Sequence, residues 1–110
     1  MIVNKDGNIT LITQENVSTQ TLVTNIEQAY EKYKNDHLII NLSSLEAIVL
    51  EDIIEFLRLS NRHRNAKKSF VLVSDKVDLD QMPDEIVVVP TLQEAYDIIE
   101  MEDIERDLGF

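Results

Sequence analysis

The sequence predicts a single α/β domain built on a mixed, mostly parallel sheet. Its length of 110 residues suits one domain with one hydrophobic core. Three short, mainly apolar runs at residues 37–42, 69–74 and 86–89 are typical of strands that are buried on both faces. Segments with helical spacing of apolar residues separate these runs. Such alternation of strands and helices predicts parallel pairing with right-handed crossovers.

The N-terminal segment predicts a β-hairpin followed by a helix. Residues 1–4 and 8–13 flank the sequence KDG, whose Asp-Gly pair can adopt the positive φ angles of a tight turn. Ser18 or Thr19 can cap the helix that follows, and residues 34–36 are expected to end it. Its apolar positions recur at helical spacing, namely Leu22, Ile26, Ala29, Tyr30 and Tyr33.

The centre of the chain predicts a strand, a loop and a long helix. The strand at 37–42 leads into a loop at 43–49, and the helix runs from about Leu50 to Arg64. Acidic residues in its first turn and arginines near its end both suit the helix dipole. The inner stripe of this helix is predicted to consist of Leu50, Ile53, Ile54 and Leu57.

The last part of the chain predicts two further strands and a helix. The strand at 69–74 is followed by an acidic connection at 75–85, which has room for one helical turn, and by the strand at 86–89. Thr91 and Glu94 fit a capping box that opens the last helix. The residues of this helix that are expected to face inward are Leu92, Ala95, Ile98 and Ile99.

The composition excludes several classes of function. The net charge is -11 and the pI is near 4.4, which argues against binding to nucleic acids or to anionic membranes. The chain has no cysteine, which excludes disulfides and cysteine-based zinc sites. It begins without the pattern of a signal peptide, and no apolar run approaches the ~20 residues of a spanning helix. We therefore expect a cytoplasmic protein without membrane insertion.

The local sequence resembles the STAS domain. That family's pattern is an apolar strand ending in Asp-Leu and a small residue, a short loop, the motif Asp-Ser-Ser-Gly, and a leucine-rich helix. The stretch LIINLSSLEAIVLEDIIEFL follows that spacing, and IVVVPTLQEAYDII resembles the family's last strand and helix. The resemblance covers nearly the whole chain. It implies one STAS-like domain at 1–110, with an acidic C-terminal helix and tail at about 92–110.

The resemblance also implies a function in protein interaction. The family includes bacterial anti-sigma factor antagonists, in which a partner kinase phosphorylates the second serine of Asp-Ser-Ser-Gly. Here residues 49–52 take the place of that motif, and Glu51 stands at the phosphoacceptor position. Glu51 either imitates a phosphorylated serine with a fixed charge or is only a favourable first-turn helix residue. The partner surface is expected to include Val49, Leu50, Glu51, Asp52, Glu55 and Phe56.

Several alternatives for the partner remain open at this level. By resemblance the partner is an anti-sigma-factor-like kinase, or the chain is an accessory subunit of a transport ATPase. A small ligand or nucleotide bound by the loops after residues 42 and 74 is a further possibility. The exposed edge of the N-terminal hairpin predicts a possible homodimer, since free strand edges invite pairing.

The remaining polar residues predict neither catalysis nor a cofactor. The chain lacks a P-loop, a G-x-G-x-x-G sequence and a recognisable nucleophile–base pair, so no enzyme activity is expected. His37 and His63 lack a metal-ligand spacing, and His63 is expected at a solvated helix end. The acids at 75–85 lack the glycine and closing glutamate of a calcium loop, which leaves a divalent-ion site as the weaker alternative to a solvated connection.

The C-terminal helix carries a second apolar stripe among its acids. Met101, Ile104 and Leu108 continue the helical spacing, with Phe110 at the end, and acidic residues far outnumber basic ones there. Such an acidic amphipathic helix either docks on its own sheet or enters a groove of a partner.

Overall fold

A five-stranded sheet forms the centre of the chain, with helices on both of its faces. The structure is a computed structural model that describes residues 1–15, 17–45 and 48–109. Its strands are β1 (Ile2–Asp6), β2 (Ile9–Thr13), β3 (His37–Asn41), β4 (Phe70–Val73) and β5 (Val87–Val89). Its helices are α1 (Thr19–Gln28), α2 (Tyr30–Tyr33), α3 (Leu50–Ile54), α4 (Leu57–Asn65) and α5 (Leu92–Asp107). A 3₁₀ turn at Leu79–Gln81 supplies the helical turn expected in the connection before β5.

The strands are ordered β1-β2-β3-β4-β5 across the sheet. β1 and β2 form the predicted antiparallel hairpin, in which Gly7 has a φ of 60°. The other three pairs are parallel, and Ile40 of β3 lies between Ile12 of β2 and Leu72 of β4. The predicted mixed, mostly parallel sheet is therefore confirmed.

The larger core lies between the sheet and helices α1 to α4. Side chains alternate between the faces of a strand, so Leu38 and Ile40 of β3 enter this core while Ile39 points to the opposite face. Ile39 packs there with Val71 and Val73 of β4 against α5. Burial of both faces explains why these strands read as continuous apolar runs in the sequence.

Two helices that the sequence predicts to be continuous are interrupted. The first breaks at Ala29, which separates α1 from α2. The second breaks at Glu55 and Phe56, which separates α3 from α4. At the second break the amide N–H of Phe56 donates to the carbonyl of Ile53, three residues back, at 3.0 Å. A bond of this kind tightens the turn locally.

Part of the predicted inner stripe of the second helix is wrong. Ile53 is fully buried as expected, but Leu50 and Ile54 are 39% and 46% exposed. Phe56 and Leu59, which were not in the predicted stripe, enter the core instead. The buried residues Ile53, Phe56 and Ser60 keep the spacing of one helix face, which is rotated from the face that the sequence predicts.

The predicted helix starts are confirmed. The hydroxyl of Ser18 accepts the N–H of Thr21 at 3.1 Å, which makes Ser18 rather than Thr19 the cap of α1. The hydroxyl of Thr91 accepts the N–H of Glu94 at 3.2 Å and opens α5. Within the described ranges, no helix is long and apolar enough to cross a membrane.

Candidate functional site

The surface at the start of α3 contains the residues that the sequence proposes for partner binding. Val49 has extended backbone angles, φ -106° and ψ 166°, and the helix begins at the next residue. The loop before it is only partly described, since Glu46 and Ala47 lie outside the described residues. We call the exposed set Val49, Leu50, Glu51, Ile54 and Glu55 the α3 surface.

Aliphatic side chains make up the apolar part of the α3 surface. Val49 is 56% exposed, Leu50 is 39% exposed and Ile54 is 46% exposed. Scattered single hydrophobic residues on a surface are ordinary, but three within six positions of the chain form a local apolar patch. Ile54 was not among the predicted partner residues and joins them because the structure turns it toward solvent.

Phe56 does not belong to this surface, and its place in the predicted partner site is a correction. The side chain is fully buried, and its ring packs against that of Phe70 with the centroids 6.5 Å apart. The reason is the spacing of three residues from the buried Ile53, which places both side chains on the helix face that points to the core. Phe56 therefore supports the surface from below instead of contacting a partner.

The two acids of the first turn have different surroundings. The Asp52 carboxylate accepts the backbone N–H of Val49 at 3.0 Å and the hydroxyl of Thr19 at 2.9 Å. It therefore closes the start of α3 and ties it to the start of α1. Glu51 is exposed, and among the described residues no cation lies within ion-pair distance of it. Asp52 therefore has a structural role, whereas Glu51 presents an exposed negative charge.

An open groove continues the α3 surface toward α1. Gln20 and Val23 of α1 line one side, and Ile54, Glu55 and Arg58 line the other. At its far end the Arg58 guanidinium donates to both oxygens of the Glu27 carboxylate, at 2.8 and 3.0 Å. The groove and the patch together offer aliphatic contact area bordered by charge, which is the chemistry of a protein-binding surface.

Two acids of the connection before β5 contact neighbouring residues of the same connection. Asp78 caps the 3₁₀ turn by accepting the N–H of Asp80 at 3.1 Å, and Asp75 pairs with Lys76 at 2.6 Å. In the part of the chain that the structure describes, no three potential metal ligands come together.

His63 is in the core, which makes its prediction as a solvated helix residue wrong. It is 0% exposed, its Nε2 lies 2.7 Å from the carbonyl oxygen of Asp36, and its Nδ1 lies 2.7 Å from the Tyr30 hydroxyl. A carbonyl only accepts, so Nε2 carries the proton and the Tyr30 hydroxyl donates to Nδ1. Burial lowers the pKa of His63 to about 4. The basic residues next to His63 in the sequence favoured a solvated position. Its spacing of seven residues from the buried Phe56 places both on one helix face, which is the signal that indicates burial.

His37 is also buried and links β3 to α5. Its Nδ1 accepts the backbone N–H of Ser69 at 2.9 Å, so Nε2 donates to the Asp103 carboxylate at 2.9 Å. Desolvation lowers the pKa of His37, although the negative charge of Asp103 acts in the opposite direction.

A polar cluster next to His37 fixes the C-terminal half of α5. Glu102 accepts hydrogen bonds from Arg64 at 2.7 Å and from the Ser69 hydroxyl at 2.6 Å. Burial raises the pKa of Glu102, but these hydrogen bonds outweigh it and leave the pKa below its ordinary value. Ala95 and Ile99 pack α5 on the sheet. The predicted stripe does not dock there, since Met101, Ile104 and Leu108 are exposed, and Phe110 lies outside the described residues.

Comparison with known proteins rests on solved structures. No family model and no curated protein matches the chain. A serine-to-glutamate variant of RsbS from Moorella thermoacetica matches with a TM-score of 0.66 and 17% identity, over 96% of this chain and 97% of that one. A chain of the stressosome, described as a signal integration and transduction hub, matches with a TM-score of 0.59 and 16% identity, over 90% of this chain and 96% of that one.

A third structure extends the same likeness. A Thermotoga maritima protein described as a candidate anti-sigma factor antagonist matches with a TM-score of 0.62 and 15% identity. The match covers 90% of this chain and 93% of that one. All three are STAS-domain proteins. At these identities the likeness concerns the fold, and the chain therefore has the STAS fold that its sequence predicts.

Proposed function

We propose that this chain is a non-enzymatic regulatory module that acts in the cytoplasm by binding another protein through the α3 surface. The observation that carries the proposal is the set of exposed aliphatic side chains at the position that corresponds to the family's phosphoacceptor motif. Two structures that share the fold support it, because one belongs to a signal integration and transduction hub and the other is described as a candidate anti-sigma factor antagonist. By the same reasoning the partner is an anti-sigma-factor-like kinase or another component of a signalling assembly.

The surface favours a partner with an apolar contact bordered by positive charge. Val49, Leu50 and Ile54 provide an apolar centre, and Glu51 and Glu55 lie exposed beside it. Interfaces commonly combine a desolvated centre with a charged rim, and the rim charges favour partners of opposite sign. The net charge of -11 extends that preference to the approach of the two proteins.

Glu51 acts in this proposal as a fixed negative charge where related proteins carry a phosphorylatable serine. Its alternative interpretation, a residue present only to start the helix, is weakened by Asp52. Asp52 already accepts the N–H of Val49 and the hydroxyl of Thr19, so the helix start has its carboxylate. Glu51 is exposed and free to contact a partner. The chain would then behave permanently as though a serine at this position were phosphorylated.

Affinity capture from native lysate tests the proposal. The tagged wild type is compared with Glu51→Ala and Ile54→Gln, and each recovered partner is identified and purified for titration calorimetry. Leu79→Gln is the matched control, because Leu79 is 48% exposed and Ile54 is 46% exposed, but Leu79 lies in the 3₁₀ turn.

The expected result is one partner whose affinity falls by about tenfold in each α3 variant and is unchanged in the control. Equal binding by all four proteins contradicts the assignment of the α3 surface. Loss in Ile54→Gln with full binding in Glu51→Ala retains the surface and contradicts the fixed charge.

A further inference from the structure

The C-terminal helix presents a second apolar stripe on the face that points away from the sheet. Met101 is 50% exposed, Ile104 is 53% exposed and Leu108 is 67% exposed. The first two lie on α5 and the third caps its end. Spacings of three and four residues place them on one side of the helix, over about 10 Å of its length.

Contacts on the opposite side fix the orientation of α5 about its own axis. Ala95 and Ile99 are buried against the sheet. In the next two turns Asp103 contacts His37 at 2.9 Å, and Glu102 contacts the Ser69 hydroxyl at 2.6 Å. Turning the apolar stripe inward would break this cluster and expose the buried residues. The stripe is therefore a stable feature of the folded surface.

The charge around the stripe has one sign. The exposed acids beside it are Asp97, Glu100, Glu105 and Asp107. Arg106 is the one basic residue between positions 92 and 107. Its guanidinium is directed to the sheet side, where it donates to Asp103 at 3.0 Å and to Ser69 at 2.8 Å.

We propose that this outward face of α5, Met101, Ile104 and Leu108 with their flanking acids, is a docking surface for a basic amphipathic helix of another protein. Charge complementarity selects the occupant. A second copy would bring two sets of acids together, and an anionic membrane would be repelled in the same way. A helix with an apolar stripe and flanking lysines or arginines satisfies both the apolar centre and the acidic border.

The inference goes beyond the proposed function and does not depend on it. α3 covers the face of the sheet opposite to that of α5. The two surfaces therefore leave room for two partners at once, and the chain can join them. The variants on α3 test the first surface, and the variants on α5 test the second.

Nuclear magnetic resonance with a model peptide tests the inference. The probe is an 18-residue amphipathic helix of leucine and lysine, and a peptide of the same composition in scrambled order controls for charge alone. Backbone resonances of the isotope-labelled full chain are followed during titration. The variants are Ile104→Gln with Leu108→Gln, and Leu79→Gln serves as the control of similar exposure.

The expected result is a shift of resonances at residues 97–108 by the amphipathic peptide, with affinity at least about tenfold weaker in the double variant and unchanged in the control. The scrambled peptide is expected to bind at least about tenfold more weakly than the amphipathic one. Three outcomes would overturn the inference: absence of binding, equal binding of both peptides, or shifts confined to other surfaces. Self-association that depends on Ile104 and Leu108 would also overturn it, because a second copy would then be the occupant.

Discussion

The buried histidine in α4 makes the stability of the fold depend on pH between 6.5 and about 4. His63 is 0% exposed, and burial lowers its pKa from an ordinary value of 6.5 to about 4. Positive charge on His37 and Lys68 acts in the same direction. Protonation would also convert Nδ1 into a donor and remove the acceptor that the Tyr30 hydroxyl uses.

The sign of the effect follows from proton uptake. Between pH 6.5 and pH 4 the unfolded chain binds a proton at His63 that the folded chain does not bind, so the free energy of unfolding falls as the pH falls. The full difference corresponds to about 3 kcal/mol, of which about 2 kcal/mol is lost between pH 7 and pH 5. Such a loss is a large part of the stability of a domain of this size, which is typically about 5–15 kcal/mol.

Urea denaturation at pH 7, 6 and 5 measures this contribution. The chain has no tryptophan, so far-ultraviolet circular dichroism is the suitable signal. His63→Gln keeps a donor and an acceptor at the site but does not titrate. We expect the wild type to lose about 2 kcal/mol more than this variant between pH 7 and pH 5.

A matched variant and a spectroscopic signal make the reasoning refutable. His37→Gln removes the other histidine and should retain the contribution of His63. Equal pH dependence of the wild type and His63→Gln would refute the argument. So would ring resonances of His63 that titrate near 6.5, the ordinary value, in the folded protein.

Three further predictions concern stability at neutral pH, and urea denaturation checks each. Asp52→Ala should cost about 1–2 kcal/mol because it removes the acceptor of two hydrogen bonds at the start of α3. Glu51→Ala should cost less than about 0.5 kcal/mol. Equal costs would contradict the different roles of the two acids. Phe56→Ala should cost about 3–5 kcal/mol by leaving a core cavity, and Ile54→Ala much less, so a smaller loss for the phenylalanine would refute its burial. Glu102→Gln should cost about 1–3 kcal/mol at pH 7. This cost should shrink as the pH falls below 4.5, the ordinary pKa, because the contacts that lower the pKa of Glu102 stabilise only its ionised form. A cost that does not change with pH would contradict its role.

Most of the secondary structure was predictable because its signals are local. The mainly apolar runs mark strands covered on both faces, and all three appear close to their predicted limits. Ser18 and Thr91 stabilise helix starts through contacts within three residues, which the sequence displays directly. The hairpin likewise depends on a turn at Gly7.

The candidate sites were predictable only in part. Exposure of Val49, Glu51 and Glu55 agrees with their proposed place on a surface, while partner binding there stays a prediction. Phe56 and His63 were assigned to the wrong environment. Phe56 was assigned by its place beside the motif, and His63 was assigned by its basic neighbours in the sequence. Both lie on the same helix face as the buried Ile53, at spacings of three and ten residues, so the error lay in the choice of the inward face.

The sequence by itself determined the α/β class, the order of the elements, the mixed sheet and the excess of negative charge. These properties follow from apolar periodicity, capping residues and composition, which act over a few neighbouring residues. The tertiary structure alone decided which faces are buried, how His37 and His63 are enclosed, and which aliphatic residues remain exposed on α3 and α5. The physical reason is that burial and hydrogen bonding there join residues 26 to 38 positions apart in the chain, such as Tyr30 with His63 and Arg64 with Glu102, which local patterns do not encode.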